Sequence, residues 1–415
     1  MLKEIVAKPR ISEDEYFFEA KNQLTNWHPG SQPNKHGSIQ IIDLFSGCGG
    51  VSLGFAALGK VVKDIQLIGA ADINEKSLET YRNNFGVPAL NKDVRELSNS
   101  TKLLNKFLQD LNGYDPKMPQ ILIGCAPCQG FTAHRKKNWD QIDNRNGLIE
   151  AFTNLALLIK PDCIIMENVP ELLSKKYWHH FQYFRDQMIQ NGYTVKQSIH
   201  NSAAFGVPQE RFRAVVIAMK QNFYLPSDRL QPNDFKTVRD AIGDLDPVAA
   251  GEVCAKDPMH KSAKHKPSTI EVIKAVPLDG GSRPKGVGPK CLQDFKGFAD
   301  VYGRLSWNKP SITITHYARN PASGRFVHPE QHRGLSIREA ARLQSFPDGF
   351  IFAGSSDDKY RQIGEAVPPL LSTAIAANIY ANLKGLVTER EENLVLNPVN
   401  NSYAGVIAGI KSSRK

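Results

Sequence analysis

Between residues 39 and 220 the chain alternates short, mostly apolar segments with stretches of helical periodicity. An unbroken run suits a strand covered on both faces, whereas a strand with one wet face alternates apolar and polar residues. Strands are predicted over 39–45 and 67–71 and near Ile121 and Ile164, and 195–199 and 214–218 look like two further strands. Helices are predicted over 51–58 and 76–84. Strand and helix in turn argue an α/β fold, a doubly wound, Rossmann-like sheet.

The pattern lapses after Tyr224. Pro, Gly and Lys accumulate through 284–290, with no long amphipathic helix. Regularity returns where Ser336 and Glu339 have the spacing of a capping box. A last apolar helix is predicted over 370–383. The expected organisation is a polar N-terminal extension (1–38), a main domain (39–222), a smaller irregular domain (223–345), a return to the main domain (346–385) and a polar, loosely ordered tail (386–415).

At 415 residues and 41% hydrophobic content the chain can bury a large core. Its formal charge is +10, and residues 223–346 carry 19 Lys and Arg against 13 Asp and Glu. More than half of the excess therefore lies in under a third of the chain, which suits a polyanionic partner. No run of 18 apolar residues occurs and the N-terminus lacks a signal-peptide core, so a cytoplasmic protein with reduced thiols and no membrane partner is expected.

Two strand ends carry reactive side chains. Gly124-Cys125-Ala126-Pro127-Cys128-Gln129-Gly130-Phe131 follows the strand near Ile121, and Pro127 and Gly130 impose a turn. Cys128 is thus placed on a tight loop at a strand end, where open α/β sheets bind ligands. The next strand ends in Glu167-Asn168-Val169-Pro170. A thiol and a carboxylic acid at two strand ends suit covalent catalysis with proton assistance. Cys125 and Cys128 also have C-x-x-C spacing, but no second pair or nearby histidine completes a metal shell, and no metal is expected. The first strand leads into the turn Ser46-Gly47-Cys48-Gly49-Gly50, while Asp72 and Asp93 end the next two segments. These aspartates can accept hydrogen bonds from a ribose diol and an adenine amino group, or cap helices. Lacking a pyrophosphate partner, the arrangement fits a nucleoside cofactor such as S-adenosylmethionine.

Six blocks then occur in order: Asp43 to Gly50, Pro127 to Phe131, Glu167-Asn168-Val169, Gln209 to Arg213, Arg338 to Pro347, and Gln362-Ile363-Gly364 with Ala366-Val367-Pro368-Pro369. Together they resemble the DNA cytosine-5 methyltransferase family, of the bacterial restriction-modification type, over about residues 39–385 apart from the variable basic stretch. The resemblance implies that Cys128 is the nucleophile that adds to cytosine C6 and that Glu167 is the acid at N3. It implies that Arg213, with Arg211 on the same loop, grips the base O2 and backs the glutamate. By themselves the two arginines read as a solvated charge pair. Cofactor contacts are implied at Phe45, Gly47, Gly49, Asp72, Ile73, Asp93, Val94, Pro127, Leu148, Glu365 and Ala366. The implied cofactor is S-adenosylmethionine and the implied partner is double-stranded DNA, from which a cytosine is flipped. Residues 223–345 would form a target-recognition domain. A restriction endonuclease acting separately is an implied companion, and a monomer is expected.

Two positions depart from the family pattern. Ile73 follows Asp72 where many relatives carry an aromatic ring, and Glu365 stands where the family usually has asparagine. A glutamate there is expected to repel the cofactor carboxylate. Other readings share parts of the pattern. A tRNA cytosine-5 methyltransferase would share the chemistry, but such relatives usually insert less than the roughly 120-residue variable segment seen here. A catalytically inactive DNA-binding regulator would be expected to lose Cys128 or Glu167, and both are present. A nicotinamide oxidoreductase would want G-x-G-x-x-G at the first turn.

Overall fold

A computed structural model describes residues 12–30, 37–127, 147–293 and 300–400. Helix α1 (Glu13–Thr25) precedes the sheet. Between the strands lie α2 (Gly50–Val62), α3 (Glu75–Phe85), α4 (Val94–Asn99), α5 (Thr101–Gln109), α6 (Gly147–Ile159) and α7 (Trp178–Gln190). Short helices α8 (Val238–Ile242), α9 (Pro267–Lys274) and α10 (Lys290–Gln293) follow, and α11 (Ile337–Leu343), α12 (Ser356–Glu365) and α13 (Pro369–Leu383) come last.

The strands are β1 (Ile39–Leu44), β2 (Ile65–Asp72), β3 (Ala89–Asn91), β4 (Gln120–Gly124), β5 (Cys163–Asn168), β6 (Thr194–Asn201) and β7 (Phe212–Met219). They form one sheet in the order β3-β2-β1-β4-β5-β7-β6. The first five pair in parallel, and β7 runs antiparallel between β5 and β6. Every predicted strand forms. The short β3 and the antiparallel insertion of β7 are additions.

The apolar runs are explained by two cores, one on each face. Successive strand residues point to opposite faces. Ile41, Ile121, Ile123, Cys163 and Ile165 accordingly pack with α1, α2, α3 and α13. Ile42, Leu122 and Ile164 pack with α4, α5, α6 and α7. Helices on both faces leave no wet side on β1, β4 or β5, which are buried throughout. The α2–α13 packing is close enough to require Gly54, where an added Cβ would lie 2.4 Å from Thr373 N.

The irregular segment replaces ladders with buried arginine forks. The Arg304 guanidinium donates to the carbonyls of Ile273, Val276, His328 and Gln331 at 2.8–3.0 Å, beside a small cluster of Ile273, Val276, Val301, Tyr302 and Val327. Buried carbonyls need donors, and a planar five-donor group supplies several at once. Arg333 pairs with Glu339 through two 2.7 Å bonds. Burial alone would raise the Glu339 pKa, but Arg333 overrides it and holds the carboxyl at about 2. The expected Ser336–Glu339 capping box is present at the start of α11.

Both chain ends differ from expectation. The N-terminal extension contributes α1, whose Phe17, Ala20 and Leu24 are buried, as is the following Trp27. Buried Glu13 accepts from Arg390 at 2.9 Å, Asn378 at 3.2 Å and Arg229 at 3.3 Å, tying three distant segments together. The tail, expected to be loose from Thr388, instead meets the free edge of β6 at Gln197 and the 173–175 segment at Val399. Val395 N donates to Gln197 O, Val399 N to Leu173 O, and Lys175 N to Val399 O, each at 3.0 Å. Backbone pairing of this kind blunts an exposed strand edge. Among the described residues no helix is long and apolar enough to cross a membrane.

Candidate active site

The carboxyl ends of β1, β2, β4 and β5 share one rim of the sheet. At the first, Phe45 (φ 56°), Gly47 (φ 51°) and Gly49 (φ 92°) adopt left-handed backbone and deliver the N-terminus of α2 to the rim. Glycine takes this conformation freely, but Phe45 does so at a steric cost. Gly47 N donates to Asp72 Oδ2 at 2.9 Å, and Asn74 N donates to Oδ1 at 2.8 Å. Asp72 thereby ties the first two loops together. Burial raises its pKa, while the amides of Asn74, Gly47 and Ile73 pull it back. Ile73 beside it is 67% exposed, an apolar face open to a ligand.

Asp93 caps α4 by accepting from Arg95 N at 2.9 Å, and the Arg95 guanidinium grips both carboxylate oxygens. Hydrogen bonds from that side chain hold Asp93 below its ordinary range despite some burial. Asp93 is thus a helix cap in this structure, with its oxygens already engaged. Val94 and Leu148 are buried in the apolar cluster against which Phe45 packs.

Glu167 ends β5 and is only 8% exposed. Burial raises its pKa, opposed first by Arg213 and then by Arg211. Arg213 Nε lies 2.9 Å from Glu167 Oε1, yet the N–H is not aimed well enough to make a hydrogen bond. Oε1 is therefore a buried oxygen without a hydrogen-bond partner among the described residues. Register explains the pairing: Glu167 stands opposite Val215, and Arg213 lies two residues along β7 on the same face.

Arg211 lies apart from this pair. Its side chain is 3% exposed, and its guanidinium donates to Ile314 O (2.9 Å), Gly364 O (3.1 Å) and Ala366 O (3.0 Å). It clamps the irregular segment to the last block, and its charge reaches Glu167 only at longer range. Glu365 ends α12, open to solvent but hemmed in on most sides. Burial pushes its pKa up to about 7, with Arg361 opposing and Asp72 reinforcing the shift. Pro127 is exposed; Cys128 lies outside the described residues. Cys125, two residues before Pro127, is half-buried, and burial followed by Glu167 pushes its thiol well above the ordinary range. It holds no thiolate at neutral pH.

Sequence reasoning missed two positioning residues. Asn168 Nδ2 donates to Ala126 O at 3.1 Å, fastening the loop that leads to Cys128 onto β5. Gln209 is fully buried, accepts from Ile314 N at 2.8 Å and donates to Leu343 O at 3.1 Å. Both fall inside the quoted blocks, but an amide shows no chemistry until its partners are known.

The profile of the family described as C-5 cytosine-specific DNA methylase matches residues 39–381. The chain belongs to that family. As a DNA cytosine-5 methyltransferase it is 32% identical over 369 residues to the Type II methylase M.HgiDII of Herpetosiphon aurantiacus, covering 86% of this chain and 99% of that protein. It is 34% identical over 341 residues to the Type II methyltransferase M1.HphI of Haemophilus parahaemolyticus, covering 82% and 86%. Among solved structures the methyltransferase resembles a prophage-encoded candidate DNA modification methyltransferase of E. coli, with TM-score 0.62, 22% identity, and 83% and 99% of the two chains covered. It also resembles the Entamoeba histolytica methyltransferase EhMeth, with TM-score 0.54, 17% identity, and 83% and 98% covered. At such identity these likenesses show the fold alone.

Proposed function

We propose that this methyltransferase flips a cytosine from duplex DNA and adds the Cys128 thiolate to C6 while Glu167 protonates or hydrogen-bonds N3. Cytosine C5 is a poor nucleophile until a group adds to C6, and a thiolate is the side chain suited to that reversible addition. The observation that carries the reading is the buried Glu167 carboxyl, whose Oε1 lies 2.9 Å from Arg213 Nε and, among the described residues, accepts no well-aligned hydrogen bond. Burial favours the protonated acid that N3 requires, and Arg213 keeps that preference moderate. Arg213 fits a contact to the base O2, with Arg211 holding the wall behind it. The target base must leave the helix stack to reach such a pocket.

The rim fits S-adenosylmethionine, which supplies an electrophilic methyl group when bound. Buried Asp72, with backbone amides as hydrogen-bond partners, retains lone pairs for ribose hydroxyls. Exposed Ile73 would offer its face to the adenine, Phe45 walls the turn with Val94 and Leu148 in the apolar cluster behind it, and Glu365 and Ala366 would hold the methionine end. Gly47 leaves open space against the backbone, whereas a Cβ at Gly49 would lie 2.4 Å from the Phe85 ring, so Gly49 lets the turn pack closely on the core; Pro127 borders the nucleophile's loop.

Residues 223–345 serve as the target-recognition lobe, with lysines and arginines on phosphates and a few side chains on base edges. The relatives' Type II designation supports a role in restriction-modification; a separate endonuclease as companion and a monomeric enzyme in the cytoplasm complete the reading. Duplex DNA bearing 5-fluorocytosine at the site found by bisulfite sequencing tests the chemistry. A covalent adduct with the wild-type chain that is lost in Cys128→Ser, with DNA binding retained, is expected. Equal trapping by Cys128→Ser would refute the assignment.

A further inference from the structure

The turn after Ile314 is braced from three directions. Ile314 N donates to Gln209 Oε1, and Ile314 O accepts from Arg211. The backbone of His316 presses on Gly364 so tightly that a Cβ at 364 would sit 2.2 Å from His316 N. Inside the turn, Ala318 N donates to Thr315 O at 3.0 Å, Asn320 N donates to Tyr317 O at 2.8 Å, and Arg319 pairs with Asp357 at 2.7 Å. This rigid mount carries two rings. His316 and Tyr317 lie with centroids 3.8 Å apart, and Tyr317 is 53% exposed. Burial, followed by the charge of Arg361, lowers the His316 pKa and keeps the imidazole neutral near pH 7.

We propose that Tyr317, backed by His316, stacks on a nucleobase face laid bare when the target cytosine leaves the duplex. The inference rests on the base-flipping reading above. Position and chemistry support it together. The turn abuts Gly364 beside Glu365, and it shares Arg211 with the last block, two residues before the Arg213 that meets Glu167. Flipping unstacks the neighbouring bases, and an aromatic ring on a fixed support recovers that stacking without new ordering of the chain. Exposed Arg361 lies near enough for its charge to act on His316, and Arg319, two residues after Tyr317, pairs with Asp357, so the rings sit in a region that also carries cations, which suits unpaired bases.

The test uses the full chain and a duplex with 2-aminopurine at the target position, whose fluorescence rises as the base leaves the stack. Tyr317→Ala should lower the flipped population and kcat roughly five- to hundredfold, the range one base–ring stack supports. Affinity for S-adenosylmethionine should stay unchanged, which excludes a general loss of fold. Tyr317→Phe should restore most of the signal, because the ring and not the hydroxyl stacks. Unchanged fluorescence in Tyr317→Ala, or equal loss in Tyr317→Phe, would overturn the proposal. If the wild-type chain itself gives no rise in fluorescence, the base-flipping reading fails instead.

Discussion

Replacing Glu365 by asparagine isolates the one acidic departure at the rim. In the free enzyme its carboxyl titrates at about 7, driven up by burial against Arg361 and with help from Asp72. About a tenth of the molecules then carry the charge at pH 6 and about nine-tenths at pH 8. If the methionine carboxylate of the cofactor lies near that charge, repulsion at a partly solvated site costs about 1 kcal/mol, a factor of about five in affinity. The screened value is the appropriate one, because solvent reaches the Glu365 side chain. Glu365→Asn should therefore bind S-adenosylmethionine about fourfold more tightly at pH 8 and almost equally at pH 6. Isothermal titration of both forms at fixed salt measures this. Equal binding by the asparagine form at pH 8 would refute the repulsion and make Glu365 neutral toward the cofactor, and weaker binding would refute it and assign Glu365 to the cofactor's ammonium group.

Three further outcomes follow from buried contacts. Asp43 is pushed up to about 7 by burial, against a 2.6 Å bond from Ser52 and with Asp72 reinforcing the shift. A raised folded-state pKa means that its stabilising effect is complete below about pH 4 and fades as pH rises through 7; Asp43→Asn should therefore gain stability relative to wild type by up to about 4 kcal/mol between pH 4 and pH 8 in denaturant titrations. No such pH-dependent gain would mean that the Asp43 site is wetter than it is drawn. Gly364→Ala places a methyl 2.2 Å from a backbone nitrogen that cannot rotate away, and should lower the unfolding free energy by about 3 kcal/mol in urea; an unchanged midpoint would contradict the close packing there. Truncation after residue 386 uncovers the β6 edge and removes Glu392 from Lys196, so it should lower Tm and promote aggregation on heating, and a truncated chain as soluble and stable as the full one would show that the strap is dispensable.

The sequence by itself settled the strands of the sheet and the strand end carrying Glu167. Parallel strands covered on both faces are largely apolar, so Cys163 to Met166 announces itself and Ile39 to Leu44 does so despite the buried Gln40 and Asp43. The glycine turn after Phe45 is equally legible, because left-handed backbone restricts the choice of residue. Tertiary structure alone decided the roles of two arginines that lie two positions apart. Arg213 falls inside β7, whose register places it on the face of Glu167. Arg211 falls just before the strand and turns onto carbonyls contributed by Ile314, Gly364 and Ala366, more than a hundred residues away. The two chain ends were hidden for a related reason. Helix α1 docks partly through the buried carboxylate of Glu13, and the tail docks through backbone bonds that any side chain permits. Hydrophobic pattern reports which faces leave water, but it carries no record of which distant donor meets which acceptor.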